Sequence, residues 1–147
     1  MSDFFSAVSV WTILGAALAG SIFGSMWYSK MFFGKTWMDV TGKTKESMEA
    51  NKKEMPRIVV YNFLVNMGMA TALTSFIIMY GVSTLMEALQ ISILLALAFS
   101  VTTHFSLMLC SNEPHWSPRP QKLFIINAGY AIGLCALMSA VIFYYMH

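Results

Sequence analysis

The chain has 147 residues, of which 57% are hydrophobic and only 11% are charged, and its formal net charge is +2. This composition is too apolar for an ordinary soluble domain, and the small net charge gives no indication of a nucleic-acid partner. All nine Lys and Arg residues lie in two stretches, 30–57 and 119–122, and the rest is mostly apolar, which predicts an integral membrane protein.

Four apolar runs account for most of the chain, at about residues 7–28, 58–80, 86–110 and 123–145. At about 1.5 Å of rise per residue, each is long enough to cross a hydrocarbon core of roughly 30 Å as a helix. We therefore predict an all-α fold, a polytopic four-transmembrane-helix bundle in which residues 1–147 form a single membrane domain.

Four crossings place the first and third connections, 29–57 and 111–122, on the same side of the membrane, and these connections contain every basic residue. By the positive-inside rule, both connections face inside and both termini face outside. The membrane itself is left open between a bacterial plasma membrane and a eukaryotic organelle membrane, for example the mitochondrial inner membrane.

Small residues at four-residue spacing mark one face of the first helix, at Ala16, Gly20 and Gly24, and recur in the fourth helix at Gly129 and Gly133. In lipid, small residues at this spacing commonly mark close contacts between helices. Contact within one bundle is favoured over a homodimer seam, because the motif is short and common.

The first connection has two parts, separated by Gly42. Residues 31–38 are rich in Met, Phe and Trp, which is typical of an interfacial segment with its rings at headgroup depth. Thr44 is then predicted to cap a short polar helix that continues to about Lys53, with a Glu49–Lys53 pair at i,i+4. Pro56 suits the start of the second spanning helix, where no N–H is needed.

The other two connections are shorter. Residues 81–85 predict a tight turn that joins the second and third spanning helices as an antiparallel hairpin. Pro114, Pro118 and Pro120 predict an extended path through the third connection.

Polar side chains gather at the end of the helices that carries the basic connections. An amide or imidazole facing lipid would cost several kcal/mol, so we expect these groups to point inward and to bond one another. Structural bonding, at about 0.6–2 kcal/mol each, is favoured over a binding or proton-transfer site. The candidates for this polar layer are Tyr28, Asn62, Asn66, His104, Asn127 and Tyr130.

No catalytic arrangement is predicted. The charged residues lie on connections without matching partners for a Ser-His-Asp or paired-carboxylate site. Cys110 and Cys135 are expected at depths that differ by about 18 Å, beyond the reach of a disulfide, so both are predicted to be free thiols. A metal site from His104, Glu113 and His115 is disfavoured because the spacing has no known ligand specificity. We expect neither a metal nor another cofactor.

Two segments resemble a known family. They are Trp27-Tyr28-Ser29 leading through Phe33-Gly34-Lys35 to Trp37-Met38, and Arg119-Pro120 leading through Lys122-Leu123-Phe124 to Ile126-Asn127-Ala128-Gly129-Tyr130. Together they are similar to the signatures of the domain of unknown function 1761 family. The resemblance implies a small membrane protein with about four helices, as in bacteria and fungi, and implies no particular activity. Where that family usually has Pro after Trp-Tyr-Ser, this chain has Lys30.

Both segments are expected at the same membrane face, where they would surround a pocket for a lipid headgroup or a small amphiphile. Tyr28, Asn127 and Tyr130 would form its wall. The headgroup-binding candidates are Lys35, Trp37, Arg119 and Lys122.

The leading functional interpretation is a non-enzymatic membrane protein that acts by association, as a homo-oligomer or as an accessory subunit of a membrane complex, with membrane lipids as further partners. The alternative is a small oligomeric transporter or channel that uses the polar layer.

Overall fold

The structure, a computed structural model, describes residues 9–111 and 117–146, and within these ranges it is helical without strands. The α-helices are α1 Val10–Trp27, α2 Gly34–Thr41, α3 Lys45–Ala50, α4 Met55–Met79, α5 Leu85–Leu95, α6 Thr102–Leu109 and α7 Pro118–Met146. A 3₁₀ turn, Lys52–Glu54, precedes α4, and a π-helix, Ala96–Val101, joins α5 to α6.

Four helical segments are long and apolar enough to cross a membrane. They are α1, α4 with its preceding turn, the continuous segment Leu85–Leu109 formed by α5, the π-helix and α6, and α7. The predicted all-α fold with four spanning-length helices is therefore confirmed. We call Leu85–Leu109 the third long helix, and we call the end of the bundle that carries the Lys and Arg residues the basic end.

Two helices have proline in their first turn. α4 begins at Met55 with Pro56 in its first turn, as predicted. α7 begins at Pro118, so the predicted extended path is wrong for residues 118–122. Pro118 and Pro120 both fall in the first turn of α7, where backbone N–H groups have no helical partner and proline costs little. The prediction for Pro114 lies outside the described residues.

Local capping fixes the ends of the shorter elements. Thr44 caps α3 through a reciprocal pair of bonds with Ser47, but α3 ends at Ala50, and the ion pair of Glu49 is with Lys52 rather than with Lys53. At the opposite end of the bundle, Gly81 takes a φ of +60° in the predicted turn between α4 and α5.

The core lies towards the end opposite the basic end. α7 contacts α1, α4 and every part of the third long helix, so it occupies the centre of the bundle. The Ser139 hydroxyl on α7 donates to the Ala88 carbonyl of α5 at 2.8 Å. The buried apolar cluster consists of Ala16, Ala70, Leu73, Ile77, Val82, Ala88, Leu134, Met138 and Ile142.

The glycine faces of α1 and α7 meet within the chain. A Cβ added at Gly20 would clash with the Met138 side chain, and one added at Gly133 would lie 2.7 Å from the Phe23 ring. A Cβ added at Gly24 would lie 2.9 Å from the Tyr130 hydroxyl oxygen. These glycines therefore bring α1 and α7 closer together than larger residues would permit.

α4 leaves the bundle towards the basic end. Asn66 and Ala70 are buried, whereas every residue from 51 to 62 is exposed. α4 contacts α5, but the π-helix and α6 contact chiefly α7. The two arms of the hairpin therefore diverge, and every residue in the first two turns of α4 is exposed.

Candidate functional site

Aromatic rings from three elements pack at the basic end. The Tyr28 ring lies 5.1 Å from that of Tyr130 and 5.6 Å from that of Trp37, between centroids. Trp27 contacts Phe33 at 4.6 Å. The sequence segments that carry the family resemblance thus come together, and their rings fill the space between the end of α1, α2 and the start of α7.

Hydrogen bonds fix this aromatic cluster to α7. The Tyr28 hydroxyl donates to Asn127 Oδ1 at 3.1 Å, and Trp27 Nε1 donates to the Ile126 carbonyl at 3.2 Å. Tyr28 follows the last residue of α1. Burial, together with the neighbouring Tyr130, raises the pKa of Tyr28 to about 12, so the phenol remains a proton donor at neutral pH.

A close backbone approach holds α2 against the end of α1. The Gly34 N–H donates to the Ser29 carbonyl at 2.9 Å. A Cβ on Gly34 would clash with the Tyr28 and Ser29 carbonyl oxygens. Only glycine fits this position without moving the backbone.

The two basic connections also contact each other. Arg119 Nε donates to the Val40 carbonyl at the end of α2, at 2.8 Å, which places both connections at one end of the bundle. The Lys43 ammonium lies 4.6 Å from the centroid of Trp37. Lys35 and Lys122 are exposed beside this cluster. Headgroup binding by these residues stays a prediction.

The polar layer divides into separate sites. Asn66 is buried, and its Nδ2 donates to Ser21 Oγ on α1 at 3.0 Å. Asn127 accepts from Tyr28. Asn62 was expected to point inward but is exposed, because α4 has left the bundle at this level. His104 is half-buried, and neither it nor Asn62 has a hydrogen bond within residues 9–111 and 117–146.

Two concave surfaces lie on the bundle, one along α1 and one between α4 and the third long helix. A groove of about 480 Å³ runs along α1 beside Ser21, Ser25 and Ser29 and continues to Met31 and Phe32. A cleft of about 220 Å³ separates α4 from the third long helix, with Cys135 of α7 among its lining residues. The four-residue spacing of these serines is a sequence signal for the groove that the sequence-based predictions did not use.

Cysteine and metal chemistry add little to the described site. Cys110 is exposed and Cys135 is buried, and both are free thiols as predicted. The described ranges hold no group of three His, Cys, Asp or Glu side chains able to bind a metal. Glu113 and His115 lie outside these ranges.

Comparison with known proteins agrees with the resemblance of the two segments. No curated protein and no solved structure matches the chain. Residues 11–143, which include all four spanning-length helices almost entirely, match the family described as "Protein of unknown function (DUF1761)". The chain therefore belongs to this family, as its Trp-Tyr-Ser and Asn-Ala-Gly-Tyr segments predicted.

Proposed function

We propose that this protein acts by association within the membrane, without enzymatic chemistry, and that a homo-oligomer is its principal form. The observation that carries the proposal is the exposed part of α4 near the basic end. Ile58, Val59, Tyr61 and Val65 are all more than half exposed. Ile58, Tyr61 and Val65 share one face of the helix, and Val59 lies on another. A partner helix would bury this surface.

Lipid hydrocarbon alone would leave the Asn62 amide of this helix without a hydrogen-bond partner. Its position is one turn inside the predicted second span, and an amide without partners in hydrocarbon costs several kcal/mol. A partner that provides a hydrogen-bond acceptor removes most of that cost. This requirement favours a protein partner over lipid alone.

The groove on α1 provides suitable acceptors in a second copy. The Ser25 hydroxyl donates to the Ser21 carbonyl at 3.0 Å, which leaves its oxygen lone pairs free to accept. Asn66 already donates to Ser21 one turn away, so an asparagine of α4 and a serine of α1 form a compatible pair in this fold. In a two-fold dimer, Asn62 of each copy would bond Ser25 of the other.

Substitution of Asn62 by Leu is expected to weaken the dimer while leaving the monomer folded. Interhelical hydrogen bonds contribute about 0.6–2 kcal/mol each, and the substitution removes both symmetry-related bonds of the dimer, so the dissociation constant should increase by roughly one to three orders of magnitude. The measurement is energy transfer between donor- and acceptor-labelled copies in vesicles, over a series of protein-to-lipid ratios.

Thr71→Val on the same helix is the control, because the Thr71 hydroxyl is exposed and bonds its own backbone at Met67. Equal dissociation constants for wild type, Asn62→Leu and Thr71→Val would contradict the Asn62–Ser25 contact, and no energy transfer at any protein-to-lipid ratio would contradict the homodimer. Monomers that purify with one fixed partner protein would instead favour the accessory-subunit form. Solute flux that His104→Ala abolishes would favour the transporter alternative.

A further inference from the structure

The cleft between α4 and the third long helix shares no lining residue with the aromatic cluster or with the α1 groove. One wall is formed by Met69, Leu73 and Phe76 of α4, and the other by Leu95 and Phe99. Cys135, which is 2% exposed, contributes from α7. Apart from Ser100 on the second wall, the lining is apolar.

A π-helix forms the second wall of the cleft. The irregular turn spans Ala96–Val101, and the hydroxyls of Thr102 and Thr103 donate to the Ala98 and Phe99 carbonyls, each at 2.6 Å. Both bonds run from a threonine to a carbonyl four residues earlier, within the π-helix. A π-turn inside a helix frequently marks a functional site, and this one coincides with the cleft.

We infer that this cleft binds one hydrocarbon chain of a membrane lipid, which enters between the diverging arms of the hairpin and ends near Cys135. An apolar cavity of this kind excludes water. If it were empty, the atoms of its walls would have no dispersion partners on one side, and a lipid chain provides them. Phe99 is 68% exposed at the edge, so the cleft opens sideways towards the membrane.

The position of the cleft favours a lipid chain as its occupant. Its walls belong to two helical segments of membrane-spanning length, and its edge is exposed at Phe99. The hydrocarbon of the bilayer is therefore the medium that meets the open side of the cleft. An extended hydrocarbon chain has no polar group to satisfy, which suits a lining that is apolar apart from Ser100.

The experiment uses the full chain in vesicles that contain a phospholipid with a diazirine near the end of one acyl chain. After illumination, labelled peptides are identified by mass spectrometry. We expect labelling to concentrate on residues 69–76 and 95–100 and on Cys135. Ala72→Phe should lower that labelling by about tenfold, because a ring placed in the cleft leaves no room at protein packing density.

Ala98→Phe is the matched control, because Ala98 is exposed in the same π-helix but does not line the cleft. It should leave the labelling unchanged. Ser100→Leu fills the cleft from the opposite wall and replaces Ala72→Phe should that variant fail to fold. Labelling spread evenly over the exposed faces of α4, or unchanged by the filling variant, would overturn the inference. Neither outcome depends on whether copies of the chain associate.

Discussion

Gly34→Ala is expected to cause the largest loss of stability of any single methyl addition in the described chain. The new Cβ would clash with the carbonyl oxygens of Tyr28 and Ser29, which are backbone atoms and have no alternative rotamer. Overpacking costs about 1–3 kcal/mol even where side chains can move, so we expect about 3 kcal/mol here. The displaced segment includes Tyr28, whose bond to Asn127 fixes the aromatic cluster.

Thermal and denaturant unfolding in a mild detergent measure this loss. Gly68→Ala is a matched control, because Gly68 lies within α4 and a Cβ there would meet no atom within 4 Å. That variant should gain about 0.5–1 kcal/mol from the lower flexibility of alanine. If Gly34→Ala unfolds at the wild-type temperature, the close approach of α2 to the end of α1 is not present in the protein.

Gly20→Val should have the second largest effect, because it forces α1 away from α7. A single added Cβ already clashes with Met138 and lies 2.9 Å from Leu134 Cδ1, and Met138 is fully buried. We expect a loss of about 1–3 kcal/mol, somewhat below that for Gly34 because the Met138 side chain can partly adjust.

Gly68→Val serves as the reference for this second variant, since it introduces the same branched side chain into an open helical position. Equal losses of unfolding free energy for Gly20→Val and Gly68→Val would show that the α1–α7 contact contributes nothing. A loss of unfolding free energy in Gly20→Val alone would show that the loss arises at the α1–α7 contact.

The sequence predicted the helical architecture because membrane-spanning length and the positions of basic residues are properties of composition and spacing. It also predicted that Gly20 and Gly24 lie at a helix contact. The partner helix was not predictable, since small residues indicate that something packs closely and not which surface does so. The start of α7 was misplaced because prolines were interpreted as helix breakers, although the first turn tolerates them.

The sequence did not predict that α4 departs from the bundle. In lipid, exposed and buried faces of a helix are both apolar, so the pattern of α4 does not distinguish them. Asn62 and Asn66 have the same chemistry and lie one turn apart, yet one is exposed and the other bonds Ser21. The π-helix likewise contains no proline or glycine that would indicate an irregular turn. Neither the turn nor the cleft beside it was therefore predicted.

The proposed association and lipid site both depend on the two basic connections facing the same compartment. Single cysteines at Lys53, Lys122 and Ser83, each in a chain with Cys110 and Cys135 replaced by serine, test this with a membrane-impermeant maleimide on sealed vesicles of known orientation. We expect Lys53→Cys and Lys122→Cys to react from one side and Ser83→Cys to react from the other. Reaction of Lys53→Cys and Lys122→Cys from opposite sides would contradict the four-crossing topology.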